Sequence, residues 1–133
     1  MEKITVIIER AENNYSAYID GVDGIAVTGK TIAEIKQKMC EAIDLYVETC
    51  KDLGIDLPHG LDAEYELTFK TDVQSVLKFY EGIFSKAGLE RITGINQKQL
   101  WHYANGQRPR TAQVVKIETA LHQLGEELIA ISM

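Results

Sequence analysis

An α+β fold in two modules is what this sequence predicts, on three observations. Apolar residues alternate with polar ones through the start of the chain: Ile4, Val6, Ile8, then Tyr15, Ala17, Ile19, then Ile25 and Val27. That period of two marks half-buried strands. From Ile32 onward the apolar residues recur every three or four positions, the period of an amphipathic helix, apart from one short alternating run near residue 65. A polar break at Lys70-Thr71-Asp72 divides the chain. Residues 1–70 are therefore expected as three strands, a helix and a strand, and residues 71–133 as an all-α unit.

Each expected element has a local reason. Asn13-Asn14 turns the chain between the first two strands, and Asp20-Gly21 and Asp23-Gly24 offer turns before the third. Thr31 with Glu34 makes a capping box, hydroxyl and carboxylate each satisfying a free amide of the first helical turn. Ile32, Ile35, Met39, Ile43, Tyr46, Val47, Cys50 and Leu53 then follow at helical spacing until Gly54 stops the helix. A loop with Pro58 and Gly60 leads to a last strand over residues 64–69. Beyond the break, Asp72 is placed to cap a helix with Val73, Val76, Leu77 and Tyr80 on one face. Thr111 is placed to cap a final helix in which Val114, Ile117, Leu121 and Leu124 repeat before Gly125. The tail, residues 128–133, is an apolar run suited to a strand or a helix extension. Such a tail is expected to be covered, often by a second copy of the chain.

The totals exclude several classes. The chain has 133 residues and is 45% apolar, enough for a core, while no apolar run approaches the roughly 18 residues of a membrane span. The segment MEKITVIIER places charges on both sides of its apolar run, so it is not read as a signal peptide, and a cytoplasmic protein is expected. Cys40 and Cys50 stand ten residues apart in one expected helix, about 15 Å at its rise per residue. That is too far for a disulfide, and both are read as packing thiols.

The net charge of −6 is unevenly spread. Residues 1–70 carry seven basic against fourteen acidic side chains, and residues 71–133 carry seven against six. Within residues 86–110, Lys86, Arg91, Lys98, Arg108 and Arg110 face Glu90 alone, a local +4. Charges beyond a Debye length of roughly 8 Å are largely screened, so a phosphate backbone responds to that patch and not to the total. The acidic half suits a basic partner.

The stretch LERITGINQKQLWHYAN, closed by Gly106, carries the chemistry. A short helix meets a glycine turn at Gly94, and a second helix with a polar face follows Ile95. In a helix-turn-helix unit the crossing forces apolar anchors in both helices and glycine between them. Leu89, Gly94, Ile95, Leu100 and Tyr103 fill those positions. Gln97, Lys98, Gln99 and His102 are left facing outward, and these side-chain types can read base edges. Trp101 either packs in the core or sits exposed beside the anchors at a backbone or dimer contact, and partial burial is the favoured expectation. One helix makes few contacts, so two recognition helices about 34 Å apart in a homodimer or higher oligomer are expected, with the C-terminal region as interface.

The four-helix pattern with TGINQKQLWHYANGQRPRT resembles the phage-repressor type of helix-turn-helix domain over about residues 72–125. The three-strand, helix, strand module with VTGKTIAEI leading into its helix resembles the N-terminal domain of HicB antitoxins. Together the halves resemble the HicB family, in the subgroup with a helix-turn-helix tail. The resemblance implies a partial RNase H-like module that binds and blocks a small basic HicA-like toxin, an mRNA-cleaving ribonuclease. It also implies a C-terminal domain that represses its own operon at a double-stranded operator. By position in the phage-repressor pattern, Gln97, Lys98, Gln99 and His102 face the groove, and Lys86, Arg108 and Arg110 fall where such domains touch phosphate. One position departs from the pattern. Glu90 stands where the crossing usually holds a small residue. Either the helices splay, or its stem packs along the crossing with the carboxylate in solvent.

The toxin implied by the resemblance could be met in the acidic module through Asp20, Asp23, Asp44, Glu48 and their neighbours, though the sequence alone does not locate that interface. No catalytic role is expected there: Asp20 and Asp23 flank a turn with no other acid clearly opposite, and metal-dependent nuclease chemistry needs several converging carboxylates. His59, His102 and His122 are not at ligand spacing, and no HExxH, GxSxG or phosphate-binding glycine loop occurs. No metal or cofactor is expected. The competing function is a stand-alone transcription regulator whose N-terminal module senses a small ligand.

Overall fold

A computed structural model describes residues 1–133 apart from His59 and Asp62. The element order is β1 (Glu2–Arg10), β2 (Tyr15–Ile19), β3 (Ala26–Gly29), α1 (Ile32–Leu53), β4 (Tyr65–Lys70), α2 (Val73–Phe79), α3 (Lys86–Thr93), α4 (Gln97–Ala104) and α5 (Thr111–Ala130). The fold is α+β, and it divides into two compact units, Met1–Thr71 and Asp72–Met133. Among the described residues no helix is long and apolar enough to cross a membrane.

In the N-terminal unit the strands form one mixed sheet in the order β3-β2-β1-β4. β1 and β2 pair antiparallel with Val6 opposite Ile19 and Ile8 opposite Ala17. β4 returns parallel to β1, setting Ile4 against Leu67 and Val6 against Phe69. The alternating residues Ile4, Val6, Ile8, Ala17 and Ile19 are all buried, as are Ile35, Met39, Ile43 and Cys50 of α1. Sheet face and helix face therefore build one core. Gly29, at the end of β3, lets α1 approach: a Cβ there would sit 2.9 Å from Ile35 Cγ1. Thr31 Oγ1 accepts the Glu34 amide at 3.1 Å, while the Glu34 carboxylate accepts from the Lys30 amide at 3.3 Å, one residue before the box position. Gly54, in the left-handed region at φ 68°, ends α1 by donating to the carbonyls of Cys50 and Lys51.

In the C-terminal unit four helices surround a core of Val73, Leu77, Leu89, Ile95, Leu100, Tyr103, Ala104 and Ile117. Side chains cap three helices: Asp72 accepts from the Ser75 amide at 2.8 Å, Ser85 from Gly88 at 2.9 Å and Asn96 from Lys98 at 2.8 Å. These bonds satisfy amides that a helix start leaves unpaired.

Several sequence expectations need correction. The last strand lies one residue later than expected, and Ile25 precedes β3 rather than opening it. Tyr80 caps the C-terminus of α2 rather than extending its face. Thr111 is the first residue of α5, and Arg110 holds the cap position without a side-chain bond. Gly125 does not end that helix, which runs on to Ala130. Glycine stops a helix where left-handed backbone is used, and Gly125 does not adopt a positive φ. The tail is thus half helix extension and, from Ile131, irregular.

Candidate nucleic-acid interface

The geometry of this site begins with the turn between α3 and α4. Gly94 is left-handed at φ 75° and donates its N–H to Glu90 O at 2.8 Å. Thr93 Oγ1 donates to Leu89 O at 2.7 Å and accepts the Ile95 amide at 3.1 Å. Ile95 then enters the core. Helix crossing and turn are therefore tied by hydrogen bonds as well as by apolar contact.

Glu90 adds a link that local sequence rules do not reach. Its Oε1 accepts the backbone N–H of Gln97 at 3.2 Å, and its Oε2 accepts the Gln97 side-chain amide at 3.5 Å. The carboxylate is thus bonded across the turn rather than simply standing in solvent. It sits at the positive start of α4, where an anion is favoured.

The seven expected contact residues lie on three segments of this unit. Lys86 opens α3 and is half-buried; Arg108 and Arg110 follow α4 and are exposed. On α4, Leu100, Tyr103 and Ala104 mark the inward side. At about 100° per residue, the opposite side centres on Lys98, His102 and Asn105. Gln97 and Trp101 fall on one flank and Gln99, half-buried, on the other. So Lys98 and His102 look outward as expected, Gln97 is exposed but held by Glu90, and Gln99 is only partly presented.

Trp101 corrects the sequence reading. It is 54% exposed, not packed against the core. Its ring lies 5.2 Å from that of His102, edge to face at 78°. Its spacing of four from Gln97 places it on the same exposed strip, a signal that was available in the sequence. Asn105, also outside the expected set, donates Nδ2–H to Trp101 O at 2.8 Å and closes the helix there. The Gln107 amide, donating to His102 O at 3.0 Å, adds a second tie at that end.

Groups of the N-terminal unit have clearly shifted ionisation, Tyr65 and Glu34 among them. Burial pushes the Tyr65 hydroxyl up to about 12, helped by Cys40 and the Asp44 carboxylate. The Lys38 ammonium beside Glu34, at 3.1 Å, and the Lys30 amide hold the Glu34 carboxyl below its usual value. Of the expected partner-facing acids, Asp20 and Asp23 stand in the turns before β3 and Asp44 and Glu48 on α1, all exposed. Cys40 is half-buried, Cys50 is buried, and both are free thiols. Among the described residues no group of three or more His, Cys, Asp or Glu is placed to hold a metal ion; His59 lies outside the described residues. In comparisons with protein-family models, curated proteins and solved structures, nothing matches this chain.

Proposed function

We propose that this chain is a HicB-type antitoxin with a phage-repressor-like helix-turn-helix tail. Its C-terminal unit binds the operator of its own operon, and its N-terminal unit, a partial RNase H-like module without catalytic activity, holds a small basic toxin in the cytoplasm. The observation that carries the DNA half is the outward side of α4. Lys98, His102 and Trp101 stand on a helix tied at both ends, with exposed Arg108 and Arg110 just beyond it. Lysine donates to guanine acceptors and an aromatic ring suits the thymine methyl, each good contact adding about 1–3 kcal/mol of discrimination. Lys86, Arg108 and Arg110 set position on phosphate, and Gln97 and Gln99 complete the edge of the face. The acidic N-terminal unit, with seven basic against fourteen acidic residues over positions 1–70, supports a cationic partner.

The test uses the full chain and a duplex enriched from a randomised pool. That duplex is expected to bind at least about 1,000-fold more tightly than random DNA at physiological salt. Arg108→Ala should weaken both equally and flatten the salt dependence. Equal affinity of the parent protein for both duplexes refutes sequence readout. A small basic toxin should be encoded beside this chain, and co-expression should restore growth to cells making it; absence of such a neighbour, or failure to rescue, refutes the antitoxin role.

A further inference from the structure

A groove of about 250 Å³ opens on the N-terminal unit between the backbone of Gly24, Ile25 and Ala26 and one flank of α1, where Ala42, Leu45, Tyr46 and Thr49 line it. Ala26 opens β3, an edge strand of the sheet. Leu45 is 66% exposed, an apolar side chain open to solvent on that flank. We infer that this groove is where a cationic amphipathic segment of a partner protein docks, its apolar side chain entering beside Leu45 and its basic side chains lying along α1. The inference rests on the reading that the N-terminal unit holds a basic protein, and it names the face.

Charge selects the occupant. On α1, Leu45 has Glu41 four residues before it and Glu48 three after, one helical turn away on either side. Asp52 continues that ridge, and all three carboxylates are exposed. At the other wall Asp23 lies close enough to Tyr46 to help raise its hydroxyl ionisation, behind burial and Cys50, and a Cβ at Gly24 would meet the Tyr46 ring at 3.8 Å. The one lysine on this flank, Lys38, is already engaged: its Nζ pairs with Glu34 at 3.1 Å and donates to Thr28 O at 2.9 Å. The groove is therefore an apolar slot rimmed by anions, with its neighbouring cation neutralised. An anionic segment meets repulsion there, and a purely cationic one leaves exposed Leu45 and half-buried Tyr46 uncovered. Only a segment offering both kinds of side chain matches both features.

The experiment titrates the isotope-labelled full chain with three synthetic peptides: a lysine–leucine amphipathic peptide, a lysine-only peptide of equal charge and a glutamate–leucine counterpart. The lysine–leucine peptide should shift the amides of residues 23–26, 42, 45, 46 and 49. Leu45→Ser should weaken it about tenfold, a change of the size one lost leucine contact produces. Glu48→Lys should weaken it and reduce its salt dependence. Both positions are exposed, so unchanged spectra of the free variants show that the fold persists. Shifts elsewhere, equal binding of the lysine-only peptide, or no binding of any peptide overturns the groove. In the co-expression assay, full rescue by the doubly substituted chain overturns the groove and leaves the antitoxin reading standing. Failure of the unsubstituted chain to rescue sinks that reading, while the peptide titration still decides the groove.

Discussion

Replacing Glu90 tests how the outward helix is held, because one carboxylate touches both the backbone and a side chain of Gln97. The backbone contact matters more. Gln97 is the first residue of α4, so its N–H has no partner inside the helix, and a carboxylate at 3.2 Å supplies one. An anion at a surface helix start contributes about 0.3–1 kcal/mol, and a hydrogen bond to a charged acceptor adds to this. Glu90 is only half-buried, so the lower part of that range applies. Alanine recovers a few tenths of a kcal/mol in helix propensity. The net expectation for Glu90→Ala is a loss of about 0.5–1 kcal/mol, and a smaller loss for Glu90→Gln, which keeps an acceptor without the charge. In a unit of this size that is a fall in Tm of roughly 4 °C, from a scale of about 4–8 °C per kcal/mol.

The same change acts on DNA with the opposite sign. Glu90 is the one acidic side chain against five basic ones between residues 86 and 110. Removing it takes away a repulsion worth about 0.2–0.5 kcal/mol at a screened 8 Å, so affinity for random duplex should rise about twofold. Discrimination for the selected duplex should fall, since Gln97 loses its tether. Urea unfolding followed by circular dichroism measures the first effect, and anisotropy of a labelled duplex the second. A double-mutant cycle with Gln97→Ala separates the contacts: because the side-chain distance is 3.5 Å, the coupling energy should stay below about 0.5 kcal/mol. A Glu90→Ala variant as stable as the parent, or one that binds random DNA more weakly, refutes the reasoning.

Other perturbations test the remaining structure. Tyr65 should ionise well above the usual phenol range. Since its folded value is raised to about 12, stability is full below pH 10 and is lost as pH climbs from there towards 12. Near-ultraviolet phenolate absorbance follows the titration, and Tyr65→Phe should abolish the late step and flatten stability over that window. Gly29→Ala, which forces a Cβ to 2.9 Å from Ile35 Cγ1, should lower the urea midpoint by the equivalent of about 1–3 kcal/mol. An unchanged midpoint would show that α1 gives way easily. Gly125→Ala, inside α5 with open space around the new Cβ, should stabilise by about 0.5–1 kcal/mol; a loss would mean that the helix needs glycine there.

What was legible in the sequence was whatever a local rule governs. Alternation placed the core faces of β1 and β2, and Gly54 and Gly94 ended their helices because both are left-handed. Asp72 was recognisable as a cap because its acceptor lies three residues from the amide it serves. The parallel return of β4 beside β1 was not legible, since nothing in either strand's pattern distinguishes one neighbour from another. Gly125 misled because the same residue type serves as stop and as tolerated interior position, and only the backbone angle separates the two.

The candidate interface follows the same division. Leu89, Ile95, Leu100 and Tyr103 were readable as anchors because apolar spacing demands them. Trp101 was misread through its own hydrophobicity, although Leu100, Tyr103 and Ala104 already occupy the inward side of a helix of only eight residues. No room remained on that side for a large ring at position 101, so the geometry of the anchors expels it to the surface. The Glu90 contact was not legible for a different reason: its partner lies seven residues on, across a turn, beyond the reach of i to i+4 rules. Both residues bear on one property. A helix that presents side chains to a duplex must not fray. α4 is fastened at its start by Asn96 and Glu90, and at its end by Asn105 and by the Gln107 amide on His102 O. Ties at both ends of so short a helix fix the backbone from which Lys98, Trp101 and His102 project, so little backbone ordering is left for binding to cost.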